Sequence, residues 1–96
     1  MNINKLVDEC YSISKSKGWW DNGRTFPESC MMIITELAEA VQEDRKYNRN
    51  KMAEELADVA IRLFDLIGSL GIDLEKEISK KMDINKDRPF KHNRKY

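Results

Sequence analysis

Apolar residues recur at helical spacing along the chain, and nowhere do they alternate with period two. The pattern therefore predicts helices and no sheet. Ile3, Leu6, Val7, Cys10 and Ile13 draw one stripe, which ends at the lysine-rich turn before Gly18, a helix-stopping residue. Trp19-Trp20-Asp21-Asn22-Gly23-Arg24 reads as a loop. Thr25-Phe26-Pro27-Glu28 then forms a capping box, with the proline in the first turn, where its missing N–H does no harm. The second helix is predicted over 26–46, with Cys30, Ile33, Ile34, Leu37 and Val41 on one face. Asn48 or Asn50 can cap a third helix over 51–70.

That third helix is apolar over most of its circumference. Leu56, Val59, Leu63, Leu66 and Ile67 lie on one side, and Ala57, Ile61 and Phe64 on the other. Such a helix is buried on more than one side. In so short a chain the second side is expected to meet another subunit, with Ile61 and Phe64 near the contact. Gly71 ends this helix and Asp73 caps a fourth, which carries Leu74, Ile78 and Met82 and fades near Asn85. Pro89 bars further helix. The expected fold is all-α: a four-helix, antiparallel, bundle-like domain spanning 1–96, with a basic C-terminal tail, that oligomerises.

Composition sharpens this picture. At 96 residues, folding buries only about 60–65% of the chain's surface, so a partner subunit or a metal is expected to support the core. Lys+Arg and Asp+Glu are 17 each, which leaves no basic excess for nucleic acid. Four glycines and two prolines are too few for a sandwich or barrel. No apolar run approaches the roughly 18 residues a membrane helix needs, and the N-terminal stretch lacks a signal-peptide core. A cytoplasmic protein without membrane contact is expected. Cys10 and Cys30 are too few and too unpatterned for a disulfide framework or a zinc site, and read as small buried side chains.

The acidic faces offer chemistry. Glu36, Glu39 and Glu43 share one side of the second helix, with its apolar stripe about 110° away. Glu55, Asp58 and Arg62 repeat the arrangement on the third. A short connection around Tyr47–Asn50 makes the two helices antiparallel neighbours. Pairing through their apolar stripes can bring Glu36-Leu37-Ala38-Glu39 opposite Glu55-Leu56-Ala57-Asp58, with Ala38 and Ala57 permitting close approach. Four converging carboxylates need a positive partner. A hard divalent cation with oxygen ligands, Mg²⁺ or Mn²⁺, supplies one. Di-iron bundles use Glu-x-x-His motifs, which are absent here. The plain alternative is a solvated acidic face, with Arg62 and Lys51 in ordinary surface ion pairs.

The doublet Glu36-x-x-Glu39 and Glu55-x-x-Asp58, in the contexts ELAEAVQE and EELADVAIRLFDL, resembles the signature of the MazG-like nucleotide pyrophosphohydrolases. Lys17-Gly18-Trp19-Trp20-Asp21 and the tail Lys81…Asn85…Arg88-Pro89-Phe90…His92 resemble further family features, in the same order. Many relatives read His-Gly-Lys where this chain has His92-Asn93-Arg94-Lys95. The resemblance implies an all-α, Mg²⁺-dependent enzyme that cleaves nucleoside triphosphates between the α and β phosphates, releasing a monophosphate and pyrophosphate. It serves nucleotide-pool control or the removal of aberrant nucleotides. Glu36, Glu39, Glu55 and Asp58 would ligate the metal and carry catalysis. Glu39, Glu43 and Glu54 are candidates for the base that takes a proton from water. Lys81, Asn85 and Arg88 would grip the phosphates, with His92 and Lys95 beside them.

Two segments keep a second reading. The last eleven residues hold five cations, Lys86, Arg88, Lys91, Arg94 and Lys95, against Asp87 alone. They form either a phosphate clamp or a frayed basic end. Trp19 and Trp20 either pack or offer a stacking platform for a base. The rival for the whole chain is a non-catalytic helical oligomerisation module.

Overall fold

The computed structural model describes residues 2–95, the side chain of His92 excepted. It has four α-helices and, among the described residues, no strand: α1 (Ile3–Ser16), α2 (Phe26–Arg45), α3 (Arg49–Ser69) and α4 (Leu74–Lys86). None of the helices is long and apolar enough to cross a membrane.

Each helix starts where a side-chain oxygen accepts an otherwise orphaned backbone N–H: Asn2 from Lys5, Thr25 from Glu28, Asn48 from Lys51 and Asp73 from Lys76. Asn48, not Asn50, caps α3, which therefore begins at Arg49 rather than at Lys51. Pro89 ends the α-helical run as expected, yet it also opens a 3₁₀ turn over Phe90–Asn93.

The first three helices end in the same motif. The N–H of Trp19, Asn48 and Ile72 each reaches back to a carbonyl five residues earlier, on Ser14, Glu43 and Ile67. The motif needs a left-handed residue just before that N–H. Gly18 and Gly71 meet this without cost, whereas Tyr47 adopts φ 58° as a fully exposed side chain.

The central helix is α3, which packs against both α1 and α2. Both pairings are antiparallel. Arg62 and Glu55 meet Glu36 and Glu39 in turn along α2, and on α1 Tyr11 lies against Gly68 while Asn4 reaches Asp73. Gly68 permits the close crossing with α1, because a Cβ there would sit 2.5 Å from Cβ of Tyr11. The fourth helix is tied to α1 at its start alone. Asn4 donates through Nδ2 to Asp73 (2.8 Å) and accepts at Oδ1 from the N–H of Glu75 (3.1 Å). Beyond Ile78 every described residue is exposed. The four helices thus do not share one core: α1 and α2 pack against α3, and α4 stands off.

The burial pattern corrects the expected pairing of α2 and α3. The α2 helix turns Ser29, Glu36 and Ala40 inward and leaves Ile34, Leu37 and Val41 about half exposed. It therefore meets α3 through its small and acidic side, not its apolar stripe. The alanine at the buried contact is Ala40, while Ala38 and Ala57 are exposed. On α3, Leu56, Ile61 and Leu63 also face outward, and Phe64 is half-buried. Among the described residues the buried apolar set is Val7, Ala40, Leu66 and Ile67.

One chain is consequently an open body. Its accessible surface is 7655 Å², whereas a compact monomer of this mass exposes about 5,700 Å². Its radius of gyration is 16.0 Å, against about 13 Å for a compact domain of this length.

Candidate functional site

The α2 helix carries buried Glu36 and, one turn on, exposed Glu39, and the facing turn of α3 brings half-buried Glu55. These three each offer a carboxylate oxygen within 4.8 Å of the others. Like charges this close resist full ionisation. The Glu55 carboxyl is accordingly pushed above its ordinary value, first by loss of solvent, then by the hydrogen bond and charge of Glu39, and then by those of Glu36. Glu36 is buried, and one positive group meets it: Arg62 Nε donates to its Oε1 at 2.8 Å. The antiparallel register places Arg62 opposite Glu36.

Asp58 is not part of the three-glutamate grouping. It is exposed and lines the adjoining cavity. Of the candidate bases, Glu39 alone belongs to the grouping. Glu43 pairs with Lys46 at 3.8 Å, and Glu54 with Lys51 at 3.5 Å on the outer surface.

Beside the acids lies a cavity of about 270 Å³. Its lining mixes charged groups, among them Glu36, Asp58, Arg62 and Lys17, with the apolar side chains of Ile13, Ile61 and Trp19. The two tryptophans part company here. Trp19 is 59% exposed and lines the cavity. Trp20 is fixed: its Nε1–H donates to Asp65 Oδ1 at 2.9 Å, and its ring meets the edge of Tyr11. Packing describes Trp20 and not Trp19.

Asp65 escaped the reading of the sequence. It is 6% exposed and also accepts from Arg24 at 2.9 Å. Its partners lie over forty residues away in sequence, so no local spacing announces them. The available signal was a lone acid between Phe64 and Leu66-Ile67, in the most apolar stretch of α3.

Lys81, Asn85, Arg88 and Lys95 are exposed on α4 and the tail, and none lines the cavity. The side chain of His92 lies outside the described set. Cys10 and Cys30 are unbridged and half-buried. Burial, then Glu9 and Asp65, push the Cys10 thiol up.

No family model, no curated protein and no solved structure matches the chain.

Proposed function

We propose that this protein is a Mg²⁺-dependent nucleoside triphosphate pyrophosphohydrolase of the MazG-like kind, working in the cytoplasm as a homo-oligomer. The observation that carries the proposal is the convergence of Glu36, Glu39 and Glu55 from two helices beside a cavity lined by both charged and apolar side chains. A merely solvated acidic face has no reason to bury Glu36 or to hold Glu55 against two other acids.

The donor set fits the metal. Three carboxylates crowded at one place are hard oxygen ligands with excess negative charge, which suits Mg²⁺, or Mn²⁺ in its stead. Glu36, Glu39 and Glu55 would hold it, with Asp58 the fourth ligand from the cavity side. Bound Mg²⁺ supplies charge for the phosphate oxygens and lowers the pKa of a coordinated water. The chain's own residues do the rest. Glu39 is the best-placed acid to accept a proton from the attacking water. Trp19, Ile13 and Ile61 present an apolar wall to a nucleobase, with Trp19 open for stacking. Arg62 is the cation nearest the acids. Lys81, Asn85, Arg88, His92 and Lys95 reach a phosphate chain only if the tail folds back or a neighbouring copy delivers it.

The homo-oligomer follows from the missing cover. The outward stripes Ile34-Leu37-Val41 and Leu56-Leu63 are too apolar for solvent. A single chain exposes about 1,900 Å² more than a compact monomer of its mass. That is the scale of area each partner loses in a large obligate interface. A dimer or a dimer of dimers is proposed. Nucleic acid and membrane partners form no part of this reading.

The test is pyrophosphate release from a panel of ribo- and deoxyribonucleoside triphosphates, with Mg²⁺ and with chelator. Metal-dependent release of pyrophosphate with one nucleoside monophosphate per turnover is the expected result. No release from any triphosphate would leave the oligomerisation module as the better reading.

A further inference from the structure

Asp65 is buried near the C-terminal end of α3, yet both of its partners come from the loop that joins α1 to α2. Arg24 Nη2 and Trp20 Nε1 each sit 2.9 Å from one of its two carboxylate oxygens. The guanidinium also lies 3.9 Å from the centre of the Trp20 ring, and its Nη1 is 3.5 Å from Sδ of Met32 on α2. The Arg24 side chain is only 10% exposed, and its Nε is buried with no partner.

Such a knot is a poor means of stabilising a core. Two desolvated charges roughly break even against well-packed apolar side chains of the same volume, and an unpartnered Nε makes the balance worse. What the knot supplies is geometry. A planar guanidinium held by a carboxylate and stacked on an indole has one arrangement, not many. The loop is also fixed at both ends, by the left-handed turn at Gly18 and by the helix cap at Thr25, next to Arg24. With Trp20 turned inward, its neighbour Trp19 is presented to the cavity. Asp65 lies one and two helical turns beyond Arg62 and Asp58 on the same face of α3, and all three line that cavity.

We infer that Asp65 is a positioning residue: through Arg24 and Trp20 it holds the 19–24 loop as the wall of the cavity beside the three glutamates, and so shapes the half of the site that receives the nucleoside. What the cavity receives rests on the pyrophosphohydrolase reading. How the loop is held does not.

The decisive variant is the double replacement Asp65→Leu/Arg24→Met, which removes both charges and keeps the volume. Asp65→Asn, which retains an acceptor for Trp20 but loses the charge facing Arg24, is the milder companion if the double variant folds poorly. The first readout needs no substrate. The Trp20 indole proton should exchange with solvent roughly tenfold faster or more in the double variant, because its buried acceptor is gone. The second readout separates positioning from stability. KM for the best-cleaved triphosphate should rise roughly tenfold or more, with a smaller change in kcat and unchanged inhibition by pyrophosphate, which contacts only the phosphate half. Unaltered indole exchange, or unaltered KM in a folded variant, would overturn the inference. A wild-type protein that cleaves no triphosphate would overturn the pyrophosphohydrolase reading instead, and the indole proton alone would then decide whether Asp65 holds the loop.

Discussion

Arg62 Nε donates to Glu36 Oε1 across the α2–α3 interface at 2.8 Å, so one guanidinium tempers a grouping of three carboxylates. It does for the metal-free protein part of what a divalent cation would do for the loaded one. Arg62→Met removes that charge but keeps much of the side-chain volume. In chelator the variant should melt lower, with a loss of about 1–2 kcal/mol from a charged hydrogen bond at a half-exposed site. The rise in Tm on adding Mg²⁺ should be larger than in the wild type, because the cation then meets three uncompensated acids. Equal Mg²⁺ shifts in the two proteins would show that Arg62 and the metal do not act on the same charge.

Glu55 gives the pH signature. Its carboxyl is raised by lost solvent and by Glu39 and Glu36, so the folded chain holds this proton to higher pH than the unfolded chain does. Between the ordinary glutamate value and the raised one, the native state binds more protons than the unfolded state, and stability falls as pH rises. Metal-free protein should therefore lose Tm across that window. Glu55→Gln should flatten the loss and raise the metal-free Tm near neutral pH, while sharply reducing turnover. Saturating Mg²⁺ should flatten it in the wild type. A metal-free Tm that climbs through the same window would mean that the glutamates are not crowded in solution.

The outward stripe of α2 predicts assembly. Leu37 is 47% exposed between Ile34 and Val41, a heavy load of open apolar surface on one helix. Leu37→Glu should dissociate the oligomer on light scattering and make Tm fall on dilution. Leu37 points away from α3, so the variant should not create a cavity in the chain's own core. An unchanged mass at micromolar concentration would remove this face from the interface.

How far the sequence foretold these features follows from the physics of each. Caps and stops are local, so Thr25, Asp73, Gly18 and Gly71 were legible, as was Pro27 in the first turn of α2. The meeting of acids from α2 and α3 was legible only in part: Glu36, Glu39 and Glu55 converge, but without Asp58 and not through the apolar stripes that were expected to bring them together. Which face of α2 turns inward was not legible. The apolar stripe has the stronger claim to burial in any rule of periodicity, yet Ser29, Glu36 and Ala40 take its place. Asp65 was hidden for a different reason: its partners Trp20 and Arg24 come from a loop whose path no spacing rule specifies. The standing-off of α4 was equally hidden, since Leu74, Ile78 and Met82 promise a packed stripe, whereas Met82 is 55% exposed.

The basic tail is where the functional and plain readings separate most widely. Acids on α2 and α3 suit a metal but repel the phosphates of the substrate, so positive groups must face the metal across the polyphosphate. Arg62 is engaged by Glu36, and the densest run of positive charge lies from Lys80 onward, on an exposed helix end and tail. Ending the chain after Asp87 removes Arg88, Lys91, Arg94 and Lys95 while leaving all four helices and the Asn4 contacts to Asp73 and Glu75. The shortened protein should keep its helical circular dichroism and its melting temperature, yet lose most of its pyrophosphate release. In the full chain Arg88→Ala should weaken substrate binding more than Lys86→Ala, because a guanidinium bridges two phosphate oxygens where an ammonium meets them as a point charge. A rise in KM alone would mean that the contact is equal in ground and transition states, and a fall in kcat that it tightens on cleavage. Near-normal turnover by the shortened protein would make the tail a frayed end and leave the cations that line the cavity, Arg62 and Lys17, to face the phosphates.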